Sequence, residues 1–300
     1  MTKVLIGADV GGTKTAAAVM RDGEIVGRAE GPGAAIRPGR ALASAATIAE
    51  TVRRALAAAG ALQGDVLVVG AAGAGRPAEA RELQQALRGE AVAGTIVVTT
   101  DIAIALEGAL GTGAGIVLSA GTGSIAIARD GQGESHRAGG YGWQMGDEGS
   151  GYAIGRAALG AVSRAADGRG AETALSSRLL EATRTSDFDE LVRWTATAGQ
   201  PEVAALAPHV LAAAGEGDAT ARAIVHYAAE ELANLVLHLR RKLGGDTPAV
   251  ALTGGLLENP LLRQALEARL KKDGVAPAPG EVDAVSGALR MAANVAENRR

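Results

Sequence analysis

The residues with the most chemical content are three aspartates and two glycine-rich turns. Ile6-Gly7-Ala8-Asp9-Val10-Gly11-Gly12-Thr13-Lys14 ends an apolar run in a carboxylate, then gives two glycines, a hydroxyl and an ammonium. Val117-Leu118-Ser119-Ala120-Gly121-Thr122-Gly123-Ser124 repeats the pattern without the carboxylate. The second arms end in Arg21-Asp22-Gly23 and Arg129-Asp130-Gly131, and Asp-Gly at such a place signals a hairpin. Glycines let the backbone approach a bulky anion, and successive N–H groups with Thr or Ser hydroxyls supply donors. One such turn is weak evidence, because tight hairpins need glycine anyway. Two of them, each opening a comparable half, imply a duplicated fold gripping one polyphosphate from both sides.

The aspartates have plainer readings beside the chemical ones. Asp9 at a strand end is either a turn cap or a carboxylate facing Mg²⁺, through water because magnesium keeps much of its shell. Asp101 follows the run Thr95–Thr100 and opens a helix, the usual place of an N-cap. A cap does not explain its place between two phosphate loops, where it would serve as a general base. Asp147, Glu148 and Ser150 precede a helix, so capping and dipole pairing compete with ligand binding for all three.

These groups need a scaffold, and the chain reads as one. Strands are expected at 4–8, 15–20 and 24–29, a helix at 40–59, a strand at 66–69, a helix at 78–87, a strand at 95–100, and a helix from there to Leu110. Leu42, Ala45, Ile48, Val52 and Leu56 keep helical spacing in the first helix. The pattern restarts with strands at 115–118, 124–128 and near 135–137. Helices follow at 152–166, 173–180, 188–198, 203–214 and 220–243, then a strand at 248–253 and helices at 261–271 and 283–298. Alternation of this kind implies a mostly parallel sheet in each half.

Composition narrows the function classes. The 300 residues allow two lobes with a sizeable core. A net charge of -3 with scattered Lys and Arg carries no nucleic-acid signature, and 2% aromatics argues against base stacking. With no cysteine, disulfides, thiolate metal sites, iron–sulfur clusters and a cysteine nucleophile are excluded. His136, His209, His226 and His238 show no metal-ligand spacing. No apolar run spans a bilayer, and the residues before Asp9 are too few for a signal-peptide core, so a cytoplasmic protein is expected.

In order along the chain, these motifs resemble the sugar-kinase, Hsp70 and actin superfamily, and within it the N-acetylglucosamine kinase-like branch of the BadF/BadG/BcrA/BcrD ATPases. Gly139-Gly140-Tyr141-Gly142 followed by Met145-Gly146-Asp147-Glu148-Gly149-Ser150 is the most specific match. The resemblance implies an α/β, two-lobed actin-like (ribonuclease H-like) fold with a duplicated βββαβαβα core and extra helices in the second lobe. Residues 1–109, with a terminal helix over 283–300, would form one lobe and 110–282 the other. It implies ATP phosphates on Gly11, Gly12, Thr13, Lys14, Gly121, Thr122, Gly123 and Ser124. Adenosine falls on Gly254, Gly255 and Asn259, the sugar on Gly140, Tyr141 and Asp147, the base on Asp101, and Mg²⁺ on Asp9. The implied partners are ATP, an amino sugar phosphorylated on its 6-hydroxyl, and a second copy in a homodimer, with no nucleic acid or membrane.

One stretch departs from the resemblance. Relatives carry an asparagine soon after a Gly-Pro pair, whereas here Gly31-Pro32-Gly33-Ala34-Ala35-Ile36-Arg37 has no amide side chain. A lost hydrogen-bond partner shifts discrimination, which leaves N-acetylglucosamine, glucosamine and N-acetylmuramic acid open. Arg37 would suit the carboxylate of a muramic-type sugar. Kinases of other hexoses and a non-catalytic sensor are the alternatives. A radical-dehydratase activator is excluded by the missing cysteines, and the zinc motif and DNA-binding helices of ROK repressors are absent.

Overall fold

The computed structural model describes residues 3–244, 249–280 and 282–298; Pro248, Arg299 and Arg300 of the expected elements lie outside them. Two compact units form, one running to Gly113 and taking in the C-terminal helix, the other running from Ala114 to Gly280.

The first unit is built on a five-stranded sheet. Strands β1 (Leu5–Val10), β2 (Lys14–Arg21), β3 (Glu24–Pro32), β4 (Gly64–Ala71) and β5 (Ala93–Thr100) lie in the order β3-β2-β1-β4-β5. β1, β4 and β5 are parallel, and β1–β2 and β2–β3 are antiparallel. The side-chain period of two sends alternate residues of β4 to opposite layers. Leu67, Val69 and Ala71 join the core under α1 (Ala41–Ala58) and α2 (Pro77–Gly89). Val66 and Val68 pack instead with Ile104 of α3 (Asp101–Leu110) and with Ala288 and Ala292 of α11 (Ala284–Glu297). In α1 the stripe from Ala45 to Leu56 is buried as its spacing predicts, but Leu42 in the first turn points outward and is 80% exposed. α11 sits very close to α3: a Cβ added to Gly287 would lie 1.9 Å from the Ile104 carbonyl oxygen.

The second unit repeats the opening. β6 (Gly115–Ala120), β7 (Ser124–Arg129), β8 (Ser135–Gly139) and β9 (Ala249–Thr253) form a sheet in the order β8-β7-β6-β9, with β6 and β9 parallel. Where the first unit has a fifth strand, the segment around Ala278 runs beside β9, its N–H donating to the Val250 carbonyl at 2.7 Å. Pro277 and Pro279 flank that donor and have no N–H, so the segment does not become a full strand. The helices are α4 (Gly151–Ala166), α5 (Leu175–Thr183), α6 (Phe188–Thr197), α7 (Gln200–Ala204), α8 (Ala207–Gly215), α9 (Ala219–Leu243) and α10 (Pro260–Lys272). The single helix expected over 203–214 is two, α7 and α8, because Pro208 takes the first turn of a new helix. α9 is buried along Ala221, Val225, Ala229, Leu232 and Val236, the axis of this unit's core.

Candidate active site

In the first unit the candidate residues gather at the carboxyl ends of the parallel strands, where ligands bind in open α/β sheets. Asp9, Gly70 and Thr99 stand side by side in the ladder, one residue before the strand ends. Asp101 is the first residue of α3, and its Oδ1 accepts the Ile102 N–H at 2.9 Å. The cap of that helix is Thr100, whose Oγ1 accepts the Ala103 N–H at 3.2 Å. Capping is therefore done by the preceding residue, and Asp101 is left for other work.

Burial and then the neighbouring Asp101 charge push Asp9 from 3.8 to about 6, with Lys14 opposing and Asp283 adding to the rise. Burial also raises Asp101, against the hydrogen bond from Ile102. Like charges and desolvation both disfavour ionisation, and their combination marks functional sites more often than structural ones.

The β1–β2 turn presents donors. The Gly11 N–H closes the hairpin on the Lys14 carbonyl at 2.9 Å, while the Gly12 and Thr13 amides make no bond among the described residues. The Gly11 carbonyl accepts from both Ala34 and Ala35 at 3.1 Å, so the amide-free stretch is laid directly on this turn. Ile36 donates to the Ala72 carbonyl at 2.8 Å. The Lys14 ammonium pairs with exposed Glu30 at 2.6 Å.

In the second unit the turn Gly121–Gly123 rests on the start of α4. Gly151 and Tyr152 donate to the carbonyls of Gly121 and Thr122 at 2.8 and 3.2 Å. The α4 cap is Ser150, accepting from Ala153 at 3.2 Å. Asp147 is only 5% exposed and holds a left-handed backbone, φ 61°. Its Oδ1 accepts the Ser124 N–H at 3.4 Å and its Oδ2 the Gln200 amide at 3.0 Å. Gly123 leaves the room: a Cβ there would lie 2.9 Å from the Asp147 carboxylate. The Ser124 hydroxyl donates to the Glu148 carbonyl at 2.7 Å. Two consecutive residues thus tie the Gly-Asp-Glu-Gly-Ser stretch to the phosphate-type turn, and burial raises the Asp147 carboxyl.

The other expected residues are placed separately. Gly140 follows β8 with φ 70°, and Tyr141 is exposed with the Arg137 guanidinium 4.4 Å above its ring. Gly254 lies on Ala120, where an added Cβ would meet the carbonyl oxygen at 2.3 Å, and Gly255 opens a 3₁₀ turn. Asn259 caps α10 through its Oδ1 and the Leu261 N–H at 3.0 Å. Thr100 and Gln200 were not singled out in the sequence. Thr100 is legible as a hydroxyl before a helix, whereas Gln200 lies 53 residues from Asp147 and no spacing announces it. Among the described residues no group of three or more His, Cys, Asp or Glu could hold a metal, and no helix is long and apolar enough to cross a membrane.

A model of the BadF/BadG/BcrA/BcrD ATPase family matches residues 6–292. The chain belongs to that family. This BadF/BadG/BcrA/BcrD family member is 34% identical over 135 residues to the N-acetylmuramic acid/N-acetylglucosamine kinase of Clostridium acetobutylicum, covering 44% of each. It is 35% identical over 133 residues to the N-acetyl-D-glucosamine kinase of Dictyostelium discoideum, covering 42% of each. The matches thus span under half the length of these curated relatives. A crystal structure of a protein assigned as an N-acetylglucosamine kinase from Chromobacterium violaceum superposes with a TM-score of 0.83 at 30% identity, covering 97% of this chain and 99% of that one. A ROK glucokinase from Streptomyces griseus, TM-score 0.57 at 18% identity over 98% of this chain and 99% of that one, shares the actin-like kinase fold.

Proposed function

We propose that the protein transfers the γ-phosphate of ATP to the 6-hydroxyl of an amino sugar, N-acetylglucosamine or a close relative such as glucosamine or N-acetylmuramic acid. What supports this reading is the placement of half-buried Asp9 near the end of β1 and half-buried Asp101 just past the end of β5, with the Gly12 and Thr13 amides open in the turn after β1. Relatives named as amino-sugar kinases support the substrate class.

Each residue then has a task. Asp101 accepts the proton of the sugar hydroxyl as that oxygen bonds to the γ-phosphorus and the bond to the β-bridging oxygen breaks, releasing ADP. Its raised affinity for a proton makes it a better base than an ordinary carboxylate. The Gly12 and Thr13 amides, with Gly11 and Lys14 shaping the turn, and the turn Gly121–Ser124 hold phosphate oxygens. Gly254, Gly255 and Asn259 lie against the adenosine, and Gly140, Tyr141 and Asp147 against the sugar.

Magnesium fits the donor set. Asp9 offers hard carboxylate oxygen, and without a three-residue cage among the described residues the ion would be held by Asp9, phosphate and water. When bound, it neutralises phosphate charge and orients the γ-phosphoryl group. On the family resemblance, the protein acts as a homodimer.

The test is a coupled ADP-release assay with ATP and Mg²⁺ against N-acetylglucosamine, glucosamine, N-acetylmuramic acid, N-acetylmannosamine and glucose. One amino sugar should stimulate release well above the others, and NMR of the product should place phosphate on the 6-oxygen. Folded protein with no sugar-stimulated release would overturn the proposal.

A further inference from the structure

Asp147 is held by a side chain from a distant part of the sequence. Its Oδ2 accepts the Gln200 side-chain amide at 3.0 Å, and its Oδ1 the Ser124 N–H at 3.4 Å. An ionised carboxylate offers about four acceptor sites, and these donors take one on each oxygen. The remaining sites have no partner among the described residues and can take the hydroxyls of a ligand. The backbone of Asp147 is left-handed, φ 61°, a conformation that a non-glycine residue keeps only where its surroundings fix it.

Gln200 is itself firmly placed. It is the first residue of α7, and α7 rests backbone against backbone on α4. Gly151 and Gly155, one turn apart on one face of α4, make the room. A Cβ on Gly155 would lie 2.0 Å from the Val203 carbonyl oxygen, and one on Gly151 would lie 3.4 Å from that of Ala204. The charges around Asp147 are few. Burial raises its carboxyl and Glu148, next in the chain, adds to the rise, while the Ser124 and Gln200 donors oppose it. Glu202 of α7 is exposed beside Gly199, and Arg156 of α4 is exposed a turn beyond Tyr152. Ala228 and Leu232 of α9, packed against Gly149, are apolar. Among the described residues, Gln200 is thus the side chain that donates to this carboxylate.

We infer that Gln200 is a positioning residue for the sugar: its amide fixes the plane of the Asp147 carboxylate so that the free lone pairs meet two neighbouring sugar hydroxyls. The inference rests on the proposed reading of Asp147 as a sugar ligand, and it gives α7 a task in binding. Gln200 acts through Asp147 and not on the reacting atoms. Its loss therefore weakens sugar binding and leaves transfer from the bound complex near its native rate. The neutrality of the donor matters as well. A carboxylate in its place would repel Asp147 unless one of the two held a proton.

Three measurements on the full chain test this: calorimetric binding of the preferred amino sugar without ATP, steady-state kinetics, and NMR titration of the Asp147 carboxyl. Gln200→Met keeps the length and removes the donor. It should raise Kd and KM for the sugar by about 10- to 100-fold, as loss of a hydrogen bond to a charged group does, with kcat within a few-fold of native. Gln200→Glu should bind sugar as poorly at about pH 7.5 and approach the native affinity at about pH 5.5, because a protonated Glu donates as the amide did. The Asp147 carboxyl should titrate higher in Gln200→Met than in the native protein. Far-ultraviolet circular dichroism must show both variants folded. Sugar affinity untouched by Gln200→Met, a fall in kcat with KM kept, or a Gln200→Glu defect indifferent to pH overturns the inference. A native protein that binds no amino sugar refutes the proposed function instead. An Asp147 titration that Gln200→Met still moves then leaves the hold of Gln200 on the carboxylate standing, and one that it does not move overturns that too.

Discussion

Asp9 should destabilise the protein it serves. In the unfolded chain it titrates near 3.8, and in the folded one at about 6, chiefly through burial and then through the Asp101 charge. Between those values the folded state binds more protons than the unfolded one, so stability falls as pH rises through this window. Above it the full cost stands, roughly 3 kcal/mol for a difference of this size. Asp9→Asn keeps the shape and removes the charge. It also weakens the bond from the Val10 amide that favours the carboxylate, which trims the expected gain to about 1–3 kcal/mol at neutral pH. Urea unfolding of both proteins from about pH 4 to about pH 7.5 measures it. Asp9→Asn should be the more stable protein at the upper end and should lose that advantage at the lower. Kinase activity should drop at the same time, a trade of stability for function. A variant less stable at neutral pH, or an advantage that does not shrink on acidification, would refute the electrostatic account.

Two further outcomes follow from particular contacts. Thr100→Ala removes the cap of α3 and should cost about 1 kcal/mol in urea unfolding, with kcat changed only a few-fold because Asp101 stays in place. Gly287→Ala would drive a methyl group into the Ile104 carbonyl, so α11 must shift. A loss of about 1–3 kcal/mol or more is expected, and an unchanged melting curve would show that the helix contact is looser than described.

The parts legible in the sequence were those written in local pattern. Asp-Gly hairpins, apolar runs and helical spacing placed the strands of both sheets and the long helices within a few residues. The misses have local causes too. Leu42 keeps the helical period but lies in the first turn and is exposed. Pro208 divides α7 from α8, and Pro277 and Pro279 keep the segment beside β9 from completing a strand. The glycine turns and the places of Asp9 and Asp101 at the strand ends were legible because strand ends and glycines announce themselves. The partners of Asp147 were not. Gln200 reaches it from α7, and the left-handed backbone of Asp147 leaves no mark in the order of residues.

The most direct test of the central claim is phosphoryl transfer by Asp101→Asn in a single turnover with γ-labelled ATP and the preferred amino sugar, alongside calorimetric ATP binding. Transfer should slow by about 10²–10⁴-fold with ATP affinity largely kept, because Thr100, not Asp101, caps α3 and the glycine turns are untouched. Transfer surviving within a few-fold of the native rate would mean that Asp101 is not the base, and the chemistry proposed for this site would fall with it.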